Sequence, residues 1–170
     1  MAVTIDLASL VLSIASRTKS ALDLTNTLDE LLKTYSFSFT DGTGANQAKN
    51  HWHDQRTLGA SASENLDLAG ALTDAFGNVI TFTKIKAIIV FAAAANTNDV
   101  VLGNAAANAW IGPFGAAAHT VAVKPGGIAI FIAPDANGYA VTAATADILK
   151  VLNGGAGTGV TYDIFVLGVV

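Results

Sequence analysis

The sequence predicts a mainly β chain: an antiparallel β-sandwich or jelly-roll-like domain over residues 35–170, preceded by an extended arm over residues 1–34 with at most one short helix. Three observations point there. Apolar and polar residues alternate, as where Tyr35, Phe37 and Phe39 are set between Ser36, Ser38 and Thr40. Segments of this kind recur at roughly 8–12-residue spacing, the rhythm of an all-β fold rather than a βαβ one. Turn chemistry separates them, at Asp41-Gly42-Thr43-Gly44, Phe76-Gly77-Asn78, Lys124-Pro125-Gly126-Gly127, Pro134-Asp135-Ala136-Asn137-Gly138 and Asn153-Gly154-Gly155.

The arm comes first. Val3, Ile5 and Leu7 alternate, and Leu10, Leu12 and Ile14 alternate again with opposite parity, which a strand with a bulge near Ala8 or Ser9 explains. A helix is the rival, because Leu7, Leu10, Val11 and Ile14 also sit at i, i+3, i+4 and i+7. Thr27-Leu28-Asp29-Glu30 has the form of a capping box before Leu31-Leu32-Lys33, and predicts one short helix. The expected strands after Tyr35–Thr40 are Asn50–Leu58, Ser63–Asp67, Val79–Ala92, Asp99–Leu102, His119–Val123, Ile128–Ala133, Tyr139–Thr142, Asp147–Leu152 and Thr161–Val169. Alanine makes up about a fifth of the chain, but its runs are bounded by Asn, Gly and Pro and fit strand ends and close-packed loops rather than helices.

Composition narrows the function classes. Of the 170 residues, 52% are hydrophobic and only 13% charged, against about 25% charged in an average soluble domain. A folded monomer of 17.3 kDa exposes roughly 7,800 Å², so charges are spread at about one per 350 Å² and a partner is expected to cover part of the surface. Net charge is −4 with nine Lys and Arg, too few cations to neutralise a run of phosphates, so no nucleic acid is expected as partner. The longest apolar run, Ala87–Ala95, falls well short of the roughly 20 residues of a spanning helix, so no membrane is expected either. The start, Met1-Ala2-Val3-Thr4-Ile5-Asp6, lacks the basic region of a secretion signal. With no cysteine, thiolate nucleophiles, disulfides and Cys-based zinc sites are all excluded.

No catalytic set stands out, and no enzyme activity, cofactor or metal is expected. His51-x-His53 shares one strand face and His119 could in principle complete a triad, but the spacing is common and a solvated or interfacial face accounts for it. Gly154-Gly155-Ala156-Gly157-Thr158-Gly159 lacks the Gly-Lys-Ser/Thr ending of a phosphate loop and runs into a strand. Asp54, Glu64, Asp67 and Asp74 read as turn and strand-end residues rather than an acid/base pair, and Asn96-Thr97-Asn98-Asp99 lacks the rest of a calcium loop. Gly59-Ala60-Ser61-Ala62-Ser63 fails as a nucleophile elbow at its last position. Trp52, Trp110 and Phe114, the last two in the loop Trp110-Ile111-Gly112-Pro113-Phe114-Gly115, either plug a sandwich end or meet a neighbouring subunit, with sugar stacking as a third reading.

From Tyr35 onward a string of motifs resembles a family of tailed-phage and prophage structural proteins. They include Asp41-Gly42-Thr43-Gly44-Ala45-Asn46-Gln47-Ala48, His53-Asp54-Gln55-Arg56-Thr57-Leu58, Glu64-Asn65-Leu66-Asp67-Leu68-Ala69-Gly70, Leu72-Thr73-Asp74-Ala75-Phe76-Gly77, Val123-Lys124-Pro125-Gly126-Gly127 and Val160-Thr161-Tyr162-Asp163-Ile164. The arm matches less well. The resemblance implies a virion protein made in the bacterial host cytoplasm, most like a capsid decoration (cement) protein on the outer capsid surface. It implies a homo-oligomer, a trimer, bridging neighbouring units of the major capsid protein. A tail component (tube, baseplate or fibre base) and a glycan-binding jelly roll are the alternatives. The candidate assembly contacts are Ile5, Leu7, Leu10, Leu12, Trp52, Arg56, Trp110 and Phe114, with Arg56 expected in a fixed ion pair with Asp54 or Asp67.

Overall fold

The computed structural model describes residues Thr4–Val170, so Val3 of the arm lies outside the described residues. The fold is mainly β, with fourteen strands and no helix among the described residues. Two antiparallel sheets face each other. One has the order β11 (Ile128–Ile132), β8 (Lys84–Ala92), β14 (Val160–Val169), β4 (Asn50–Leu58), with β12 (Tyr139–Ala140) also on β8; the other runs β10 (Thr120–Val123), β9 (Val100–Gly103), β13 (Ile148–Asn153), β5 (Ser63–Asp67). The remaining strands are β1 (Ala8–Ala21), β2 (Asn26–Asp41), β3 (Gln47–Ala48), β6 (Leu72–Thr73) and β7 (Val79–Ile80).

The sandwich core follows from the period-2 pattern. Val160, Tyr162, Ile164 and Val166 point inward from β14, with Ile88, Val90 and Ala92 of β8 beside them, and meet Val100, Leu102, Leu149 and Val151 of the other sheet. The register of β8 against β14 shifts between Leu167 and Gly168. This irregularity lets Ile85 and Ile88 both join the core, and Lys86 between them is fully buried, its Nζ donating to the carbonyls of Gly44 and Asp135. Burial holds the Lys86 pKa below the usual lysine range, with Asp135 opposing the shift.

Three expectations need correction. The expected strand Val79–Ala92 is two strands, because the chain breaks pairing at Thr81–Thr83 and drops Phe82 into the core at 1% exposure. The helix expected at Thr27–Lys33 does not form: those residues belong to β2, paired with β1 in an unbroken antiparallel register from Ala8↔Phe39 to Ala21↔Asn26. Glu30, which a capping box would turn back on Thr27, instead reaches across to Arg17 at 2.5 Å. Cross-strand pairing along a whole ribbon outweighs a four-residue local signal. The parity change near Ala8 is likewise a bend at Asp6 ahead of β1, not a bulge within it.

The arm is therefore a β-ribbon. At about 3.4 Å per residue its fourteen-residue strand β1 spans roughly 45 Å. Its root packs on the outer face of the β11-β8-β14-β4 sheet, where Ile5, Phe39 and Ala48 bury against Ala87 and Leu167 in a second apolar cluster. Every residue from Val11 to Ser36 is exposed. The total accessible surface, 9191 Å², accordingly lies well above the roughly 7,800 Å² of a compact monomer of this mass. Replacing Val11–Ser36 by a two-residue turn is expected to leave the melting temperature of the sandwich within a few degrees of the intact chain by calorimetry, since so little of the ribbon is buried; a large drop would show that the ribbon supports the core.

Candidate assembly surface

The ribbon has two unlike faces, because directly opposed residues share a side. One carries Leu10↔Phe37, Leu12↔Tyr35, Ile14↔Lys33, Ser16↔Leu31 and, toward the tip, Thr18↔Asp29; the other mixes Ser9↔Ser38, Ser13↔Thr34 and Arg17↔Glu30 with the apolar residues of Val11↔Ser36, Ala15↔Leu32 and Lys19↔Leu28. The first is an apolar stripe that starts in the buried root cluster and runs out into solvent, where Leu12, Ile14, Leu31 and Tyr35 are 41–52% exposed. Lys33 is its cation, with Nζ 5.6 Å from the centre of the Tyr35 ring. The tip, closed by Leu22 N–H donating to Thr25 O at 2.8 Å, presents Leu22 and the fully exposed Leu24.

Beside the root, the outer face of the β11-β8-β14-β4 sheet is a second uncovered apolar region. The register aligns Ile128, Phe91, Asp163 and Gln55 in one row and Ile130, Ile89, Phe165 and His53 in the next, while Ile132, Ala87, Leu167 and His51 form a third. The ribbon root covers much of the third row. Phe91, Asp163, Gln55, Ile89, Phe165 and His53 of the first two rows line a shallow trough of about 510 Å³, with Phe91 38% exposed, and Ile128, next to Phe91 in its row, is 55% exposed. His51 and His53 stack at 5.6 Å and His51 also stacks on Phe165 at 5.9 Å. Partial burial, then the neighbouring His53, hold His51 below the usual imidazole pKa, which favours its neutral form.

The sequence candidates divide between these surfaces and the core. Leu7 at 73% and Leu12 at 45% exposure lie open, Leu10 is half-buried, and Ile5 is buried in the root. Trp52, Trp110 and Phe114 are buried in the sandwich and present no ring to a partner or a sugar. Trp110 plugs one end: Nε1 donates to Ala140 O at 2.9 Å and the ring meets Phe114 and Tyr139 edge to face. Gly112 is required there, since a Cβ would stand 2.5 Å from the indole.

Arg56 pairs with Asp54 at 3.0 Å, as expected, but its second partner is Glu64 on the facing sheet, by Nε at 3.0 Å and by a second guanidinium nitrogen; Asp67 instead accepts from Ala69 N–H. The Tyr162 hydroxyl donates to the other Glu64 oxygen at 2.7 Å. The hydrogen bond to Glu64 raises the Arg56 pKa, and burial followed by Glu64 raises that of Tyr162, so both stay protonated and the group acts as a clamp between the sheets.

The other polar motifs are likewise occupied by their own structure. His119 Nδ1 lies 2.6 Å from Phe114 O. Asp74 accepts from the N–H groups of Phe76 and Asn78. Asn96 brackets the Thr161 backbone, Asn98 reaches Asn153 and Thr158, and Asn153 ties the glycine-rich loop to Gly59 O and Thr158 O. Among the described residues no three His, Cys, Asp or Glu side chains converge on a metal position. Compared with known protein families, curated proteins and solved structures, the chain matches none.

Sequence reasoning missed the partnership of Glu64 with Arg56 and the sheet trough. The trough was foreshadowed by β8, which reads apolar on both faces through Ile88, Ile89, Val90 and Phe91. Glu64→Ala is expected to destabilise the chain by about 1–3 kcal/mol in denaturant titration, because it leaves the buried Tyr162 hydroxyl without its acceptor and the Arg56 guanidinium with Asp54 alone. A change under about 0.5 kcal/mol would show the clamp to be incidental.

Proposed function

We infer that this chain is a virion structural protein of the tailed-phage kind, a capsid decoration protein that binds the outside of the expanded head and bridges neighbouring units of the major capsid protein. The observation that carries the reading is the ribbon: an extended arm with an apolar stripe, exposed over residues 11–36 and contributing none of those residues to the sandwich core. Such an arm suits contact with another chain. An isolated two-stranded hairpin is at best marginal in water, and uncovered apolar strands invite pairing. Covering Leu12, Ile14, Leu31 and Tyr35, each already about half-covered, contributes on the order of 1 kcal/mol per side chain. The motif string from Tyr35 onward supplies the kind of particle, and the scarcity of charge on the arm's apolar face agrees with a permanent shell contact.

The mechanism follows from mass action. A protein that binds only the expanded arrangement of capsomers stabilises that arrangement by its binding free energy, without chemistry. A sandwich anchored on one unit and a ribbon roughly 45 Å long laid across the next would resist their separation. The clamp at Arg56, Glu64 and Tyr162 keeps the anchor rigid under that load. Mixing the gold-labelled protein with undecorated expanded heads, unexpanded heads and isolated tails is expected to give saturable labelling of expanded heads alone by electron microscopy. Labelling of tails would replace this reading with a tail component, and labelling of neither would reject a virion role.

A further inference from the structure

We propose that the apolar face of the ribbon seats in the trough of the β11-β8-β14-β4 sheet of a second copy of this chain, so that copies join in a closed ring, each giving one ribbon and receiving one. The inference rests on the assembly reading of the ribbon but not on which particle the assembly decorates.

Three observations select a second copy as the occupant. The first is continuity. This sheet already receives a ribbon face, its own: Phe39 and Leu10 pack over Ala87, Leu167 and Phe165, and the open rows lie directly beside that contact. A neighbour's ribbon would extend the same kind of packing to the adjacent rows.

The second is charge. Over its apolar part the ribbon face carries one charge, Lys33, and the trough carries one on its outward rows, Asp163. Neither has a counter-charge within the chain among the described residues: Lys33 lies over the Tyr35 ring, and Asp163 accepts from the neutral Gln55 amide at 2.8 Å. On the ribbon the cation sits one row from the Leu12↔Tyr35 pair, and on the sheet the anion sits one row from Ile89 and Phe165. The apolar and charged positions therefore have the same spacing on both surfaces, about 7 Å per two residues.

The third is area. A two-stranded face roughly 45 Å long and 10 Å wide covers at most about 450 Å², about half of the 800 Å² per partner of a stable interface, so a single ribbon-to-trough contact is weak and the assembly holds only where every copy both gives and receives one. The contact is heterologous, ribbon to trough, so it ends only by closing into a ring.

The test is the solution mass of the intact chain by sedimentation and light scattering, with charge reversals at the two positions. The native chain is expected to form a closed oligomer. Lys33→Asp and Asp163→Lys are each expected to weaken it by about tenfold or more, and the double variant to restore it. Both positions are exposed, so folding is checked by circular dichroism and is expected to be unchanged. Because the chain has no cysteine, mixing Ile14→Cys and Ile128→Cys chains, which lie in the Lys33 and Asp163 rows, should give a disulfide-linked heterodimer under mild oxidation. A monomer at all concentrations, reversals that do not rescue one another, or cross-linking of Ile14→Cys chains only to themselves would overturn the proposal. A monomeric chain that still labels expanded heads overturns this inference alone, whereas a closed ring that ignores heads overturns only the capsid reading.

Discussion

A strand in a two-stranded ribbon has one hydrogen-bonded neighbour and, beyond its root, nothing packed on either face. That constraint governs the molecule. From Val11 to Ser36 the ribbon has its cross-strand pairs, one salt bridge between Arg17 and Glu30 and a hydroxyl contact between Ser13 and Thr34 to hold it, and exposed pairs of this kind contribute only tenths of a kcal/mol each. The sandwich, by contrast, is closed by its core, by the Trp110 plug and by the clamp joining β4, β14 and β5. The chain thus joins a self-sufficient body to an arm whose order calls for a second surface.

The sheet beneath the root links the two. β8 is apolar on both sides and β14 is so at its Phe165–Leu167 end: their inner residues close the core, while Ala87 and Leu167 anchor Phe39 and Ile89 and Phe165 stay partly open. A sheet with one face in the core and the other half-covered by a ribbon root has a fixed direction in which the ribbon leaves it. The rigidity of the sandwich is thereby passed to an otherwise weak element, at least over its first residues.

The sandwich was legible because its signals are local and repeated. The expected strand Thr161–Val169, found as β14, and the turn residues at Asn153-Gly154-Gly155 and Lys124-Pro125-Gly126-Gly127 each mark structure within a few residues of themselves. The arm was less legible because its conformation depends on a partner strand. Thr27-Leu28-Asp29-Glu30 carries a helical start signal that loses only once Arg17 and the rest of β1 lie alongside. The short strands β3 and β6 had no period to reveal them. Arg56 could be singled out as an ion-pair residue, but choosing Glu64 over Asp67 requires knowing that β5 lies across the sandwich from β4. The aromatic loop left three readings open, and burial of Trp110 at 2% favours the plug.

The central claim is that the ribbon depends on a partner surface for its order, and amide hydrogen exchange tests it most directly. In the free chain at high dilution, the amides of residues 11–36 are expected to exchange orders of magnitude faster than those of β8 and β14, and to become protected when the chain is assembled. Ribbon amides as protected as the core in a demonstrably monomeric chain, or as unprotected after assembly as before, would contradict it.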